Sequence, residues 1–147
     1  NQEKIMDMKI MYSRTGDVHT LRTEGGPFPG VVVDNTGLSE EEKSGTAKQL
    51  LGCAAVFCYM SALVGAMTIR NVPYCDVSAT ATLTLGKNAM GLPRVTKITI
   101  DAEVVIPGDA EDDFKRVEKV MRKGCLVTSS IHEGIEMVYN LKHTIME

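Results

Sequence analysis

A chain of 147 residues has the length of one domain, and folding buries roughly 70% of the surface that such a chain exposes when unfolded. Its 44% apolar and 24% charged residues are those of an ordinary globular protein and exclude disordered and collagen-like classes. The formal net charge is −3 with basic and acidic residues interspersed, which argues against a nucleic-acid footprint and points to a small-molecule partner.

The chain opens on Asn1, so either Met6 or Met8 is the natural start or the initiating Met is missing. No basic leader with an apolar run precedes the first element, and a cytoplasmic location is expected. Ile5 to Tyr12 alternates, with Met6, Met8, Ile10 and Tyr12 on one face and Asp7 and Lys9 on the other, the pattern of a half-buried strand. Val18 to Thr23 follows the turn at Thr15-Gly16-Asp17, and Val31 to Asp34 follows the Gly25-Gly26-Pro27 break. The three strands read as a meander.

After a polar, acidic stretch from Leu38 to Ser44, the segment from Thr46 to Arg70 carries no proline and no charge between Lys48 and Arg70. That length would span a bilayer. Its many small residues (Gly52, Ala54, Ala55, Ala62, Gly65, Ala66) and its flanking strands instead predict the buried central helix of a protein with no membrane partner. Alternation then resumes, Ala79, Ala81, Leu83 and Leu85 opposing Ser78, Thr80, Thr82 and Thr84. A hairpin partner, Ile98, Ile100, Ala102, Val104 and Ile106, lies beyond the Gly- and Pro-containing connection from Gly86 to Pro93.

Asp109 is placed to cap a helix that starts acidic (Glu111, Asp112, Asp113) and ends basic (Arg122, Lys123), as the helix macrodipole favours. Its predicted inner stripe is Phe114, Val117, Val120 and Met121. Gly124 can end that helix in the left-handed conformation, so that Cys125 opens a short helix through Ile131. The last strand is Ile135 to Ile145, with Ile135, Met137, Tyr139, Leu141 and His143 inward. With no repeat, linker or low-complexity tract, residues 1–147 are expected to form a single α+β domain.

Four cysteines, none in a Cys-x-x-Cys pair, are too few for a disulfide scaffold, and the three histidines lack metal spacing, so neither a metal nor a cofactor is expected. Thiol reactivity follows the thiolate fraction, which rises at a helix N-terminus or beside a cation. Cys125 meets the first condition by position; Cys58, in mid-helix, needs a cation from another segment. Cys53 and Cys58 stand about 140° apart around the helix and do not pair. Cys75 has no local activator, and each of these thiols can equally be inert core.

The segment QLLGCAAVFCYMSAL, with Cys58 followed by Tyr59, resembles the central helix of the OsmC/Ohr family. The stretch VTKITIDAEVVIPG, then Phe114, then Lys123-Gly124-Cys125-Leu126-Val127, resembles that family's second half. The resemblance runs from about Ala47 to Ile145. It implies an OsmC-like fold, an antiparallel sheet with a long buried helix, assembled as an intertwined homodimer with active sites near the subunit interface. It also implies a thiol peroxidase for organic hydroperoxides: Cys58 is oxidised to a sulfenic acid, Cys125 resolves it as a disulfide, and an external dithiol resets the pair. Phe57, Tyr59 and Met60 are expected to line the substrate pocket.

The chain departs from the family pattern where a glutamate usually stands ten residues before the first cysteine and holds an arginine. Lys48 occupies that position and would repel the arginine, stabilise a thiolate, or draw an anionic ligand. Arg14 and Arg22 are the candidates for the arginine, Arg22 the preferred one, and both can be solvated strand residues. Leu126 replaces the usual proline. These departures keep a second reading open: a non-peroxidatic relative binding a small anionic or thiol-containing metabolite at the dimer interface.

Overall fold

The computed structural model describes residues 7–147. Its secondary structure runs β1 (Ile10–Thr15), β2 (Val18–Thr23), β3 (Gly30–Asp34), α1 (Glu40–Lys43), α2 (Thr46–Ile69), β4 (Val77–Lys87), β5 (Pro93–Ile106), a 3-10 turn (Gly108–Ala110), α3 (Glu111–Met121), α4 (Leu126–His132) and β6 (Glu136–Ile145). The chain divides into two compact units, one ending at Gly45 and the other spanning Thr46–Glu147.

The first unit is the expected meander, an antiparallel sheet in the order β1-β2-β3. A two-residue connection joins β1 to β2, and Gly16 takes the positive φ of +58° that such a tight hairpin requires. The expected half-buried face of β1 is not buried: Ile10 and Tyr12 are each 60% exposed. No helix of the unit covers them, because α1 is a single turn, started by a capping box between Ser39 and Glu42. Ile5 and Met6 of the expected strand lie outside the described residues.

The second unit pairs β4 with β5 antiparallel, Val77 opposite Val104 and Ala81 opposite Ile100. Beside β5 runs β6, and this pair is parallel, Ile98 opposite Met137 and Ile106 opposite Ile145. The sheet is therefore mixed, correcting the antiparallel expectation. The reason is topological: α3 and α4 carry the chain back across the sheet, and a return of that length delivers the next strand in the same direction. Ile98, Ile100, Ala102, Val104 and Ile106 are all buried, so the period-two pattern identifies the inner face of β5 correctly. A register shift between Thr84 and Leu85 breaks the β4 pattern, and Leu85 is exposed rather than inward.

Helix α2 lies on this sheet and buries Gly52, Ala55, Tyr59, Leu63, Ala66 and Met67, a stripe at three- and four-residue spacing. Gly52 sits so close that a Cβ there would come within 3.0 Å of the Leu83 side chain. The opposite face, which the sequence reading expected to be buried, is exposed; Phe57 and Ile69 are 75% and 79% accessible. Length and composition alone would let this helix cross a membrane, but its inner stripe belongs to a hydrophobic core shared with β5, α3 and β6.

In α3 the inner stripe is Phe114, Val117 and Met121, while Val120 is exposed, because a fourth position at that spacing turns past the helix face that meets the core. Asp109 does not cap the helix. It lies within the 3-10 turn, and Ala110 takes the N-cap position without a side-chain bond. Gly124 ends the segment at φ +73°, as expected. A Cβ at Gly124 would press on the Tyr139 hydroxyl and lie 2.7 Å from Thr128 Oγ1. Gly124→Ala should therefore cost about 2–4 kcal/mol, the left-handed strain plus the clash, read as a lowered urea midpoint at unchanged slope.

Candidate active site: two neighbouring thiols

Cys58 and Cys125 come together. The long helix α2 carries Cys58 half-buried at its middle, and the left-handed turn at Gly124 delivers Cys125, 8% exposed, to the N-cap of α4 beside it. The two thiols lie close enough to shift each other's acidity, and the Val127 and Thr128 backbone N–H groups act on both sulfurs. One set of donors at the start of α4 thus serves two sulfur atoms.

The acidities of the pair diverge. Burial pushes the Cys58 thiol up, the hydrogen bond to Cys125 pushes it further, and the N–H groups of Val127 and Thr128 only partly offset this. Burial also acts to raise Cys125, but hydrogen bonds from the Cys58 thiol and the Thr128 hydroxyl, then from the two N–H groups, outweigh it and bring the thiol down. Of the two, Cys125 is therefore the one favoured to ionise, while the more accessible thiol is Cys58. Protons of such a pair belong to both sulfurs, so its titration is a joint property.

The other residues singled out from sequence are spread more widely. Phe57 and Met60 border an apolar groove of about 740 Å³ on the outer side of α2, together with Cys53, Val56, Ser61, Val64 and the start of β4. Tyr59 points the other way. It is fully buried and stacks on Tyr139, ring centroids 5.0 Å apart and planes within 7°. Lys48 is exposed on α2, ten residues or about 15 Å of helix before Cys58. Arg22 is exposed on β2 of the first unit, opposite Met11 and Gly30. Cys75 is exposed beside Met146, its sulfur 3.6 Å from the Met146 sulfur.

Two features escaped the sequence reading. A cleft of about 240 Å³ is lined by Arg122, Lys123, Ser129, His132, Met137 and Tyr139; its cations had been assigned only to the helix dipole. Thr128 is also buried, bonded to both the backbone and the sulfur of Cys125. Its signal was the spacing Cys-x-x-Thr, which has the form of a capping box with sulfur as the cap.

No family model matches the chain. Over 123 residues, 84% of this chain and 85% of the relative, it is 28% identical to Peroxiredoxin OsmC of Escherichia coli (strain K12), and equally to that of Shigella flexneri. Among solved structures, an OsmC-like protein of unknown function from Vibrio cholerae superposes with a TM-score of 0.71 at 16% identity, covering 95% of this chain and all of that one. An OsmC-like protein from Mycoplasma pneumoniae gives 0.72 at 14% identity, covering 99% and 100%. The Organic Hydroperoxide Resistance Protein OhrB of Bacillus subtilis gives 0.58 at 15% identity, covering 93% and 98%.

The Tyr59 hydroxyl is buried without a hydrogen-bond partner among the described residues, and burial, followed by the electrostatic influence of the neighbouring Tyr139 and Cys125, pushes its pKa up to about 12. Because the folded value lies above the usual phenol value of about 10, the neutral form is what folding favours, and stability falls as pH rises from about 10 to 12. Tyr59→Phe removes the orphan hydroxyl; it should be neutral or raise stability by about 1 kcal/mol at pH 7, and abolish that alkaline loss in urea titrations across pH. In sequence the chain is similar to Peroxiredoxin OsmC, and in fold it is similar to solved OsmC-like and organic hydroperoxide resistance proteins.

Proposed function

We propose that this protein is a cysteine-based peroxidase that reduces organic hydroperoxides. The observation that carries the reading is the pairing of a more accessible Cys58 with a buried, more acidic Cys125 beside it. The names of the relatives, a peroxiredoxin and an organic hydroperoxide resistance protein, support the same class of chemistry.

In the proposed cycle the Cys58 proton passes to its partner as the peroxide arrives. The Cys58 thiolate attacks the terminal peroxide oxygen, the O–O bond breaks, the departing alkoxide takes from Cys125 the proton it had accepted and leaves as the alcohol, and a sulfenic acid remains on Cys58. The Cys125 thiolate then attacks that sulfur; the S–S bond forms and hydroxide departs, to be protonated to water. An external dithiol reduces the disulfide by two exchange steps and is itself oxidised. Phe57 and Met60 are proposed to supply the apolar wall that favours a bulky organic peroxide over hydrogen peroxide.

The proposal includes a homodimer. The outer face of α2, with Phe57, Cys53 and Ile69, is an apolar surface that a lone chain leaves in water, and a second copy would bury it. Cytoplasmic reducing conditions would keep all four thiols available between turnovers.

The test is a peptide-mapped mass after one equivalent of cumene hydroperoxide, with hydrogen peroxide in parallel. A fast Cys58–Cys125 disulfide is expected. Cys58→Ser should abolish turnover, whereas Cys125→Ser should undergo one oxidation and stall at the sulfenic acid. Because burial raises the Cys58 thiol, the rate of that first oxidation should climb as pH rises above neutrality, measured by stopped-flow in Cys125→Ser. Unreacted thiols would instead favour the non-peroxidatic reading, in which the pocket binds a small anionic or thiol-containing metabolite. Lys48, standing where the family usually carries a glutamate, is the observation on that side.

A further inference from the structure

Thr128 is fully buried and stands three residues beyond Cys125, in the first turn of α4. Its Oγ1 accepts the Cys125 backbone N–H at 2.9 Å, so the hydroxyl proton is left to be donated elsewhere. Two acceptors lie within reach: the Cys125 sulfur at 3.2 Å and the Cys125 carbonyl at 3.4 Å. That carbonyl already accepts the Ser129 N–H at 2.8 Å, and the sulfur is the closer of the two, so the proton points to sulfur. The Thr128 N–H completes the arrangement by donating to the same sulfur. A β-branched side chain in a helix has few χ1 choices, and Gly124 leaves the space in which the hydroxyl sits.

We infer that Thr128 is the positioning residue of the resolving step, holding the Cys125 sulfur by its hydroxyl and its backbone N–H in line for the sulfur of Cys58. The inference rests on the peroxidase reading for the step it serves. In that step the Cys125 thiolate forms the S–S bond to the Cys58 sulfenic acid and hydroxide leaves. Two donors from one residue set the direction of the sulfur as well as its charge, which a distant cation would not do. Leu126 is 81% exposed and takes no part in this clamp. The other titratable groups that bear on the cluster are Cys58 and Tyr59 from α2 and Tyr139 from β6.

The test reads Cys125 without any peroxide. In a Cys58→Ser background, which removes the coupled titration, iodoacetamide alkylation of Cys125 is followed against pH by peptide mass. T128V and T128A, two ways of deleting the hydroxyl, should raise the midpoint by about one unit or more, and T128S should restore it. A helix cap with a purely structural role would lower stability and leave this midpoint in place. In the chain with Cys58 intact, T128V should close the disulfide about tenfold more slowly after oxidation, with the sulfenic acid accumulating and trapped by dimedone. An unchanged midpoint in both hydroxyl-free variants, or disulfide closure at the wild-type rate, overturns the role of Thr128. Absence of any Cys58–Cys125 disulfide in the wild type overturns the peroxidase reading instead, and the alkylation midpoint still decides whether Thr128 holds Cys125.

Discussion

The contact on which the site depends is the burial of one stripe of α2 against β5, α3 and α4. Ala55, Tyr59, Leu63 and Met67 fix the rotation of that helix, and its rotation decides which way Cys58 faces. Each such side chain contributes roughly 1.5–3 kcal/mol by leaving water, so a turn of the helix large enough to move Cys58 away from α4 would expose several of them at once. The thiol pair therefore takes its geometry from the core, and the start of α4 needs only to arrive beside it. Gly124 is the hinge of that arrival. A side chain there would meet both Tyr139 and Thr128, so the residue that ends α3 also sets the clearance around Cys125.

Much of this was legible in the sequence because the signals were local. The alternation of Ile98 to Ile106 needed only the period of a strand, and the Gly124-Cys125 junction needed only the left-handed end of a helix and the start of the next. The direction of β6 was not legible in the same way: Glu136 to Ile145 alternates identically whether it runs with β5 or against it. What decides the direction is the path through α3 and α4, a property of the connection. Leu85 failed for a similar reason, since a bulge moves every later side chain to the other face and leaves little trace in composition. Val120 and Asp109 show that stripe and cap assignments blur at helix ends.

The candidate site was half legible. Cys58 and Cys125 stood out as residue types in suggestive places, but their pairing came from the family resemblance, because 66 residues of chain lie between them and nothing local ties one to the other. Tyr59 was read as a pocket residue because it adjoins Cys58. One residue along a helix is a rotation of about 100°, and that rotation puts Tyr59 in the core against Tyr139 while Phe57 faces outward. Neighbours in sequence on a helix look in different directions, so a pocket built on α2 recruits Val56, Met60 and Val64 at helical spacing instead.

The same geometry separates access from acidity. A thiol that meets solvent can meet a peroxide, and Cys58 is the more accessible of the two; a thiol that collects hydrogen bonds holds the charge, and Cys125 collects those of Thr128. Were both sulfurs ionised, their repulsion in a partly buried site would oppose the close contact that disulfide formation needs. Acidities shifted in opposite directions reduce that conflict, since they favour ionising one sulfur before the other. In the proposed cycle the oxidised Cys58 sulfur would be electrophilic, with Cys125 already beside it. In that cycle, the arrangement that depresses the reactivity of Cys58 at rest is then the one that shortens the second step, so the pair would trade initial nucleophilicity for fast closure of the disulfide.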